Sequence, residues 1–581
     1  MFTADFETTT DKNDCRVWAW AVCEIGVIDN IVIGNNIESF FRTCEESGNL
    51  ILYFHNLKFD GEFCISYLLK HGYEYVETKK LCNKQFNALI SDMGQFYKIK
   101  IRFENGNSLE LRDSMKLLNY SVDEIAKAFH LDIQKLEIDY NVPRGTNHIL
   151  TKEETEYLKH DVQIMSLALD RIFKMGFEKL TQGSCALEDF KSIIGKKRFR
   201  TLFPEPNYDK DIRKAYKGGF TYLNPIYADK DVGEGNVFDV NSLYPSRMYY
   251  SDLPWGEPKF YDGEYIYDSE RPLYIQLFKC EFELKEGYLP TIQLKGNSRF
   301  VQTEYVTSSN GDIVPLCLTN VDFELFLKHY NVYNLEYIRG WKFRASKDLF
   351  KKYIDKWMEE KIKAGKEHNP TMRNWSKIML NSLYGKFALD PICAKKHPYL
   401  DKGVVKYRTS PPETREALYL PVGAFITAYA RRYTIETSQK IKEYSIEKYG
   451  KDMYIYSDTD SIHTTLPVED IKKFIEIDDY KLGAWAHESH FTRARFLRPK
   501  TYIEEIDGNL HVTCAGLPDK GKEQVTWENF HPCATYTGKL MPVHVDGGIV
   551  LVDKEFNIRG GEFDRALKKL YQKLFESIIH I

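Results

Sequence analysis

The length of the chain is the feature that most constrains its fold, because a single hydrophobic core stops growing at about 250–300 residues. A chain of 581 residues therefore predicts several domains or sub-domains, about three to five. Hydrophobic residues make up 43% and charged residues 28%, which is typical of soluble globular proteins. The sequence contains no apolar run of about eighteen residues and no basic, apolar leader, so neither a membrane span nor export is expected.

Charge and cysteine content exclude little by themselves. The eleven cysteines form no C-x-x-C pair, which favours free thiols in a reducing compartment over a disulfide framework or a zinc site. A net charge of −4 does not indicate a polyanionic partner, but local basic tracts can still bind phosphates. The tracts are Lys196–Arg200, Lys361–Lys366, Lys395–Lys396 and Arg493–Lys500. Each tract alone is more typical of a solvated surface.

The pattern of apolar residues changes along the chain. Residues 1–185 alternate short apolar strands with helical segments, which predicts an α/β unit. Residues 251–348 are rich in alternating, strand-like sequence. Residues 349–388 are the most strongly helical region, interrupted at Asn369–Pro370, where a helix should end. A further helix, Ala424–Tyr444, leads into a predicted strand–turn–strand.

Two acids near the N-terminus have the spacing of a strand. Asp5 and Glu7 are two residues apart, so both side chains should leave the same face. Oxygen ligands on one rigid face suit Mg²⁺ or Mn²⁺. A single D-x-E is more often a pair of solvated acids, so this motif needs support from others.

That support comes from two later motifs. HNLKFDG places Asn56 and Asp60 just after an apolar strand, and EYLKHD places Tyr157 and Asp161 on one helical face. Together with Asp5 and Glu7, these acids could hold metal ions for phosphodiester hydrolysis, with the phenol orienting the attacking water. In this order the motifs resemble those of DEDDy-type proofreading exonucleases. Lys135 could supply a cation to the scissile phosphate, although a lone lysine is usually surface.

A second group of acids occurs far along the chain. FDVNSLYP places Asp239 at the end of an apolar strand, and YIYSDTDSIH places Asp458 and Asp460 at the tip of a predicted hairpin. S-D-T-D-S alone is also an ordinary turn sequence. Two-metal nucleotidyl transfer requires carboxylates from separate strands that face one point. We therefore expect Asp239 and Asp460 to be metal ligands and Asp458 to be an auxiliary acid.

The predicted helix Thr371–Ala388 has two different faces. One face carries apolar residues and is expected to be core. The other face carries Arg373, Lys377, Asn381 and Tyr384 at helical spacing. Its cations could neutralise a triphosphate, and its aromatic ring could stack on a base pair. A merely solvated face is the alternative.

The combination of motifs resembles one family. FDVNSLYP, KIMLNSLYGKFA, YIYSDTDSIH and KTYI, in that order behind the exonuclease motifs, are similar to the family B DNA polymerases. Within that family they resemble the protein-primed replicases of small bacteriophages with linear genomes. The resemblance extends from Asp5 to about Phe556.

The resemblance implies roles for individual residues. Tyr244 would be the steric gate against a 2′-hydroxyl, and Val240 would join the metal and nucleotide site. The residues that would contact the triphosphate or line the nascent base pair are Lys361, Lys377, Asn381, Tyr384 and Gly385. The residues that would contact DNA are Asn56, Lys135, Tyr216, Gly218, Gly219, Lys500 and Tyr502.

The resemblance also implies an architecture, an RNase H-like exonuclease domain followed by a right-hand polymerase with two palm insertions. The implied units are exonuclease 1–185, palm 186–250, insertion 251–348, fingers 349–388, palm 389–391, insertion 392–416, palm 417–516, thumb 517–556 and a C-terminal tail 557–581. Residues Glu562–Ile581 place apolar side chains on one helical face, expected to pack on the thumb.

Function and partners follow from the same resemblance. The expected protein is a replicative, DNA-directed DNA polymerase with 3′→5′ proofreading, two Mg²⁺ or Mn²⁺ ions per active site, and template-primer DNA and dNTPs as substrates. The first insertion is implicated in contacts with a terminal protein that acts as primer, and the second in strand displacement and processivity. A monomer in the host cytoplasm is expected.

Two rival hypotheses differ in class. A reverse transcriptase or RNA polymerase would fit poorly with a bulky Tyr244 and an attached proofreading site. A DNA-binding scaffold with inactive sites would be expected to lack at least one acid, and all seven are present: Asp5, Glu7, Asp60, Asp161, Asp239, Asp458 and Asp460.

Overall fold

The N-terminal region is one mixed sheet covered by helices. The computed structural model describes residues 1–140, 142–146, 148–205, 209–293 and 305–558. The strands of this region are β1 (Phe2–Thr8), β2 (Val17–Glu24), β3 (Val27–Gly34), β4 (Leu50–Phe54), β5 (Glu74–Tyr75), β6 (Gln85–Ile90), β7 (Phe96–Arg102) and β8 (Ser108–Asp113). The helices are α1 (Ile37–Glu46), α2 (Leu57–Lys70), α3 (Val122–Ala128), α4 (Lys152–Lys174) and α5 (Gln182–Ile194).

The order of the strands in this sheet is β3-β2-β1-β4-β8-β7-β6-β5. β1 is antiparallel to β2 but parallel to β4, and β4 is parallel to β8. β1 is therefore an interior strand that ends beside the start of α2, which follows β4 directly.

The next segment, up to residue 250, begins a second sheet. It contains α6 (Lys196–Leu202), α7 (Asp209–Ala215), β9 (Thr221–Leu223), β10 (Asp231–Val232), β11 (Gly235–Val240) and α8 (Leu243–Tyr250). Residues 251–348 follow as a strand-rich insertion. Its elements are β12 (Leu253–Asp262), β13 (Leu273–Leu284), β14 (Ile292–Gln293), β15 (Tyr305–Val306), β16 (Val314–Thr319), α9 (Asn320–His329) and β17 (Tyr330–Ser346).

Two helices, α10 (Lys351–Lys366) and α11 (Pro370–Phe387), form the next unit. The break predicted at Asn369–Pro370 is confirmed, because Pro370 begins α11 and the Asn369 side chain accepts the Met372 N–H. A small β-structure follows, with β18 (Ile392–Cys393), β19 (Lys396–Asp401), β20 (Val404–Thr409) and β21 (Glu413–Thr414). β19 and β20 form an antiparallel hairpin, called here the 396–409 hairpin.

The last part of the chain completes the second sheet. Its elements are α12 (Leu420–Tyr449), β22 (Tyr454–Asp458), β23 (Ser461–Thr464), α13 (Val468–Ile471), β24 (Trp485–Phe491), β25 (Arg493–Arg498), β26 (Thr501–Ile506), β27 (Asn509–Cys514), α14 (Asp519–Lys522), β28 (Thr535–Val545) and β29 (Gly548–Asn557). β28 and β29 form a long hairpin, called here the C-terminal hairpin. The tail helix expected over Glu562–Ile581 lies outside the described residues.

The central sheet has the antiparallel order β24-β11-β23-β22-β9, assembled from strands that are far apart in sequence. A neighbouring sheet, β10-β25-β26-β27, packs beside it. The insertion forms its own sheet, β12-β17-β13-β16. Among the described helices, none is long and apolar enough to cross a membrane.

The largest hydrophobic core ties the N-terminal region to the helical pair. Helix α5 spans the boundary predicted at residue 185, and its Phe190 stacks on Phe350 with ring centroids 4.9 Å apart. Asp189 accepts hydrogen bonds from Lys356 Nζ at 2.7 Å and from Trp357 Nε1 at 2.8 Å. Because α5 buries its apolar face against α10 and α11, it packs as part of that helical unit although the sequence continues directly from α4.

Candidate active sites

The first site is built on β1 and α4. The side-chain oxygens of Asp5, Glu7 and Asp161 lie within 4.8 Å of one another. Asp5 and Glu7 share a face of β1, as their spacing predicts. Asp161 lies on α4, which begins at Thr151 with a capping box completed by Glu154. Tertiary packing thus brings a helix acid onto the face of the strand acids.

Asp60 reaches the same site from α2. Asn56 ends the segment after β4 in the left-handed conformation, with φ 74°, so that Asp60 falls in the first turn of α2. Within the described part of the chain, buried oxygens Oδ1 of Asp60 and Oδ1 of Asp161 have no hydrogen-bond partner. Buried acceptors normally have partners, so these oxygens fit a cation that they would coordinate.

Burial and the repulsion between like charges raise the pKa values of the acids in this group. Burial, followed by the charge of Asp161, raises the pKa of Asp5 to about 7. The pKa of Glu7 and that of Asp60 are also raised, by burial first and by the charge of Asp5 second. Bound cations would relieve both effects, which is the behaviour of a metal-binding carboxylate group.

Two further predicted residues join the acids. Lys135 Nζ lies 2.7 Å from Asp161 Oδ2 and 5.5 Å from the centre of the Tyr157 ring. The hydroxyl of Tyr157 lies 2.8 Å from that of Tyr140. Tyr140 was not predicted from the sequence, because it lies in an irregular segment with no motif spacing.

These groups line a cavity of about 760 Å³ that has walls from both ends of the chain. Asn56 and His55 line it from the N-terminal region, while Leu540 and Ile549–Leu551 line it from the C-terminal hairpin. The carboxylates in this cavity would repel an anionic ligand unless cations were bound between them.

The second site lies at the end of the central sheet. β11 carries Asp239 and runs antiparallel to β23, with Asp239 opposite Ser461. The Val240 N–H donates to the Asp460 carbonyl at 2.8 Å, which ties β11 to the turn between β22 and β23. Thr459 adopts a left-handed conformation in that turn, with φ 64°. Asp239 therefore lies near the end of β11 and Asp460 in the turn of a separate hairpin, and the two acids are close enough for their charges to interact, as expected.

The negative charges of Asp239 and Asp460 are not fully compensated by nearby cations. Burial, followed by the charge of Asp460, raises the pKa of Asp239 to about 7, and Lys377 acts in the opposite direction. Burial and then the charge of Asp458 raise the pKa of Asp460. Glu488 on β24 adds to the repulsion on both acids. Glu488 was not predicted, because only the pairing of β24 with β11 places it there.

Asp458 has a different environment. Lys500 Nζ contacts its two carboxylate oxygens at 2.6 and 2.7 Å. The hydroxyls of Tyr456 and Thr221 donate to it at 3.1 Å each. Its oxygens are therefore satisfied by protein donors, whereas the charges of Asp239 and Asp460 are not.

Cations from the helical pair face the acids. Arg373, Lys377 and Asn381 are exposed along one side of α11, opposite the buried face, as the sequence predicts. Burial, then the charges of Lys377 and Arg373, lower the pKa of Lys361 on α10. Lys361, Lys377 and Arg373 thus form a cluster of like charge that an anion would stabilise.

Aromatic rings and a tight loop complete the site. Tyr244 on α8 stacks on Tyr384 of α11, with ring centroids 4.1 Å apart. Gly219 packs on the turn at residues 459–460 between β22 and β23, called here the catalytic turn, because a Cβ on Gly219 would lie 2.6 Å from Thr459 Oγ1. Arg431 donates to the carbonyls of Lys217 and Gly218 at 2.8 and 2.7 Å and so fixes the Tyr216–Gly219 loop. Tyr502 stacks on Phe496, with centroids 5.0 Å apart.

Comparisons with known proteins agree with this geometry. The family described as DNA polymerase type B, organellar and viral, matches residues 42–150 and 142–477. The chain is 46% identical to a DNA polymerase of Bacillus phage Nf, covering 96% of this chain and 99% of the relative. Identity to the DNA polymerase of Bacillus phage phi29 is 44% over the same shares. The DNA polymerase of Streptococcus phage Cp-1 is 33% identical, covering 97% and 99%.

Solved structures give the same assignment. The phi29 DNA polymerase in complex with primer-template DNA and incoming nucleotides matches with a TM-score of 0.89 and 43% identity, covering 96% of this chain and all of that one. The phi29 enzyme with single-stranded DNA matches with a TM-score of 0.88. The expected fold class, an exonuclease domain followed by palm, fingers and thumb, is thereby confirmed.

The chain belongs to the organellar and viral type B DNA polymerases, in the group of the phi29-like phage enzymes, and is a DNA-directed DNA polymerase.

Proposed function

We propose that this replicative DNA polymerase also proofreads with a 3′→5′ exonuclease, displaces the strand ahead of it processively, and begins synthesis on a protein primer. The observation that carries the proofreading proposal is the presence of two separate groups of buried or half-buried carboxylates that repel one another. One group lies in the N-terminal sheet and the other in the central sheet. Each has the chemistry of a site for phosphoryl transfer assisted by divalent ions.

Each site would hold two Mg²⁺ ions, for which Mn²⁺ could substitute. The ligands would be Asp5, Glu7, Asp60 and Asp161 in the first site, and Asp239, Asp460 and the Val240 carbonyl in the second. When bound, such ions supply positive charge at the attacking and leaving oxygens of the phosphoryl group.

The protein's own residues would bind and orient the substrates. In the polymerase site Lys377, Lys361 and Arg373 would bind the triphosphate, because they form an uncompensated cation cluster beside Asp239. Asn381, Tyr384 and Gly385 would line the nascent base pair, and Tyr216, Gly218 and Gly219 would guide the DNA between the sites.

In the exonuclease site Tyr157 would orient the attacking water, and Lys135 would bind the scissile phosphate. Asn56, on the rim of the cavity, would contact the DNA end there. Lys500 and Tyr502 would hold the primer terminus in the polymerase site, since Lys500 already lies against Asp458.

The 396–409 hairpin is suited to a role in strand displacement because it reaches the exonuclease domain. The hydroxyl of Tyr407 donates to Glu62 Oε2 at 2.7 Å, and His544 Nε2 of the thumb lies 3.1 Å from Glu62 Oε1. Lys70 pairs with Asp546 at the tip of the thumb. Hairpin, thumb and exonuclease domain therefore meet at one buried carboxylate, and this junction would hold the hairpin across the path of the template.

The insertion 251–348 offers a surface for protein priming. The insertion exposes large apolar side chains, among them Ile266 (82% exposed) and Tyr267 (77% exposed). Contiguous exposed apolar surface can mark a protein interface, and Ile266 and Tyr267 are adjacent in the chain. Two-metal chemistry requires only an oxygen nucleophile in line with the α-phosphate, so a Ser, Thr or Tyr hydroxyl of a terminal protein could replace the primer 3′-hydroxyl.

The two activities should be separable, because different acids serve them. Asp239→Ala or Asp460→Ala is expected to abolish nucleotide addition and leave degradation of single-stranded DNA intact, while Asp5→Ala with Asp60→Ala should do the reverse. Both reactions are measured on one end-labelled oligonucleotide. Loss of degradation in a folded Asp239→Ala protein would contradict the two-site assignment.

Sugar selection should depend on Tyr244, whose ring is held in place by Tyr384. Tyr244→Val is expected to raise ribonucleotide incorporation strongly, by at least about tenfold, because removal of the ring opens space for a 2′-oxygen. The measurement is kcat/KM for a ribonucleotide against the matching deoxynucleotide. Equal discrimination in variant and parent would remove Tyr244 from this role.

Deletion of the loop 392–416 should preserve extension on an open template and stop synthesis at a downstream duplex. The reason is loss of the hairpin that Glu62 holds against the exonuclease domain. Extension is compared on a gapped and a forked template with the same primer. Undiminished displacement by the deletion variant would reject the proposed role.

A labelled deoxynucleotide should be transferred onto the cognate terminal protein when template and Mg²⁺ or Mn²⁺ are present. Ile266→Ser with Tyr267→Ser should reduce this transfer and leave extension of a DNA primer unchanged, because these residues lie outside both carboxylate sites. Absence of a protein–nucleotide adduct, while a DNA primer is readily extended, would exclude protein priming.

A further inference from the structure

A buried ionisable pair connects the two sheets of the palm. His463 lies on β23 of the central sheet, and Glu504 lies on β26 of the neighbouring sheet. His463 Nδ1 is 2.8 Å from Glu504 Oε1, and the residues are only 2% and 6% exposed. In the part of the chain that the structure describes, β23 and β26 belong to different sheets, so no backbone ladder fixes one against the other.

The His463 ring also lies among aromatic rings from both sheets, Tyr456 of the central sheet and Phe496 and Tyr502 of the neighbouring sheet. The His463 ring lies 5.4 Å from that of Tyr456, 5.4 Å from that of Phe496 and 5.2 Å from that of Tyr502. Packing of rings is only weakly directional. Burying a carboxylate costs free energy of desolvation, whereas burying an apolar side chain does not. The pair of His463 and Glu504 is therefore better explained by the relative position of the two strands that it specifies than by a gain in stability.

The position specified is that of the turn between β25 and β26. Lys500 lies in this turn in a left-handed conformation, with φ 58°, which costs conformational energy for a residue with a side chain. Its N–H donates to the Tyr456 hydroxyl at 2.9 Å, and that hydroxyl donates to Asp458 at 3.1 Å. Tyr502 and Glu504 are two residues apart on β26 and so share a face.

A small movement of β26 would therefore move both Lys500 and Tyr502 relative to the catalytic turn. The contact between Lys500 Nζ and Asp458, at 2.6 and 2.7 Å, depends on the register between the two sheets. Because the Glu504 carboxylate meets a ring nitrogen in one direction only, it can fix this register where the surrounding rings cannot.

We propose that His463 and Glu504 form a positioning pair that sets Lys500 and Tyr502 against the catalytic turn and thereby determines how firmly the primer end is held. The inference rests on the proposed contact of Lys500 and Tyr502 with the primer terminus. His463 and Glu504 are both buried, so the proposal assigns them a positioning role and no direct contact with the primer.

The test uses the full-length polymerase and a primer–template, and measures KM for the primer–template and kcat separately. Glu504→Ala should raise this KM about tenfold with a smaller change in kcat, because loss of a buried hydrogen bond frees the turn. Glu504→Gln should stay close to the parent, since an amide can bond either nitrogen state of the imidazole. Lys500→Ala serves as the reference for loss of the primer-end contact.

A double variant separates positioning from general stability. If Glu504 acts through Lys500, Glu504→Ala combined with Lys500→Ala should have the KM of Lys500→Ala alone. The matched control is Asp470→Ala, which removes another buried palm carboxylate, 4% exposed and bonded to Lys448 and Tyr449. The control should lower the melting temperature without raising KM.

Three results would overturn the proposal. The first is an unchanged KM in Glu504→Ala while Lys500→Ala raises KM. The second is a double variant whose KM rises by the product of the two single effects. The third is a rise in KM in Asp470→Ala as large as that in Glu504→Ala. An unchanged KM in Lys500→Ala itself would instead reject the primer-end role of Lys500, and the inference with it.

Discussion

The main electrostatic constraint on this polymerase is that acidic side chains are held close together in buried and half-buried positions. The charge of Asp460 raises the pKa of Asp239 after the effect of burial, and in the exonuclease domain the charge of Asp161 likewise adds to burial in raising the pKa of Asp5 and that of Glu7. Folding must supply the free energy that keeps such acids together, because without cations they favour separation. This explains why each group is anchored on an interior strand, with Asp5 and Glu7 on β1 and Asp239 on β11, where backbone ladders on both sides hold the strand in place.

The remaining structure serves to keep counter-charges near the acids without neutralising them. Lys377 lies close enough to Asp239 to oppose the rise in its pKa, and Lys135 pairs with one oxygen of Asp161 while the other stays unpartnered within the described residues. Asp458 differs, since Lys500 and two hydroxyls satisfy it. The protein therefore distinguishes acids that are free to bind cations from an acid that positions a lysine.

The thumb and the 396–409 hairpin contact the domain that holds the first carboxylate site. The C-terminal hairpin forms a wall of the cavity around the exonuclease acids, and its tip approaches the same domain so closely that Gly547 could not carry a side chain. At Glu62 the thumb, the 396–409 hairpin and helix α2 meet, only two residues beyond Asp60. Movement of the thumb would therefore change the wall of the cavity that contains the acids of the first site.

The sequence by itself determined on which local elements the candidate site residues lie. Asp5 and Glu7 share a strand face, Tyr157 and Asp161 share a helix, Arg373 and Lys377 share the exposed side of α11, and Pro370 begins that helix. These results follow from the periods of strand and helix and from the backbone limits of proline, which act over a few residues.

Only the tertiary structure decided which distant residues meet. Glu488 approaches Asp239 through the pairing of β24 with β11, Tyr140 meets Tyr157 from an irregular segment, and Glu504 meets His463 across two sheets. Helix α5 follows the exonuclease domain in sequence but packs with the fingers, because its apolar face is buried there. Strand pairing and burial depend on the whole chain, and no local periodicity records them.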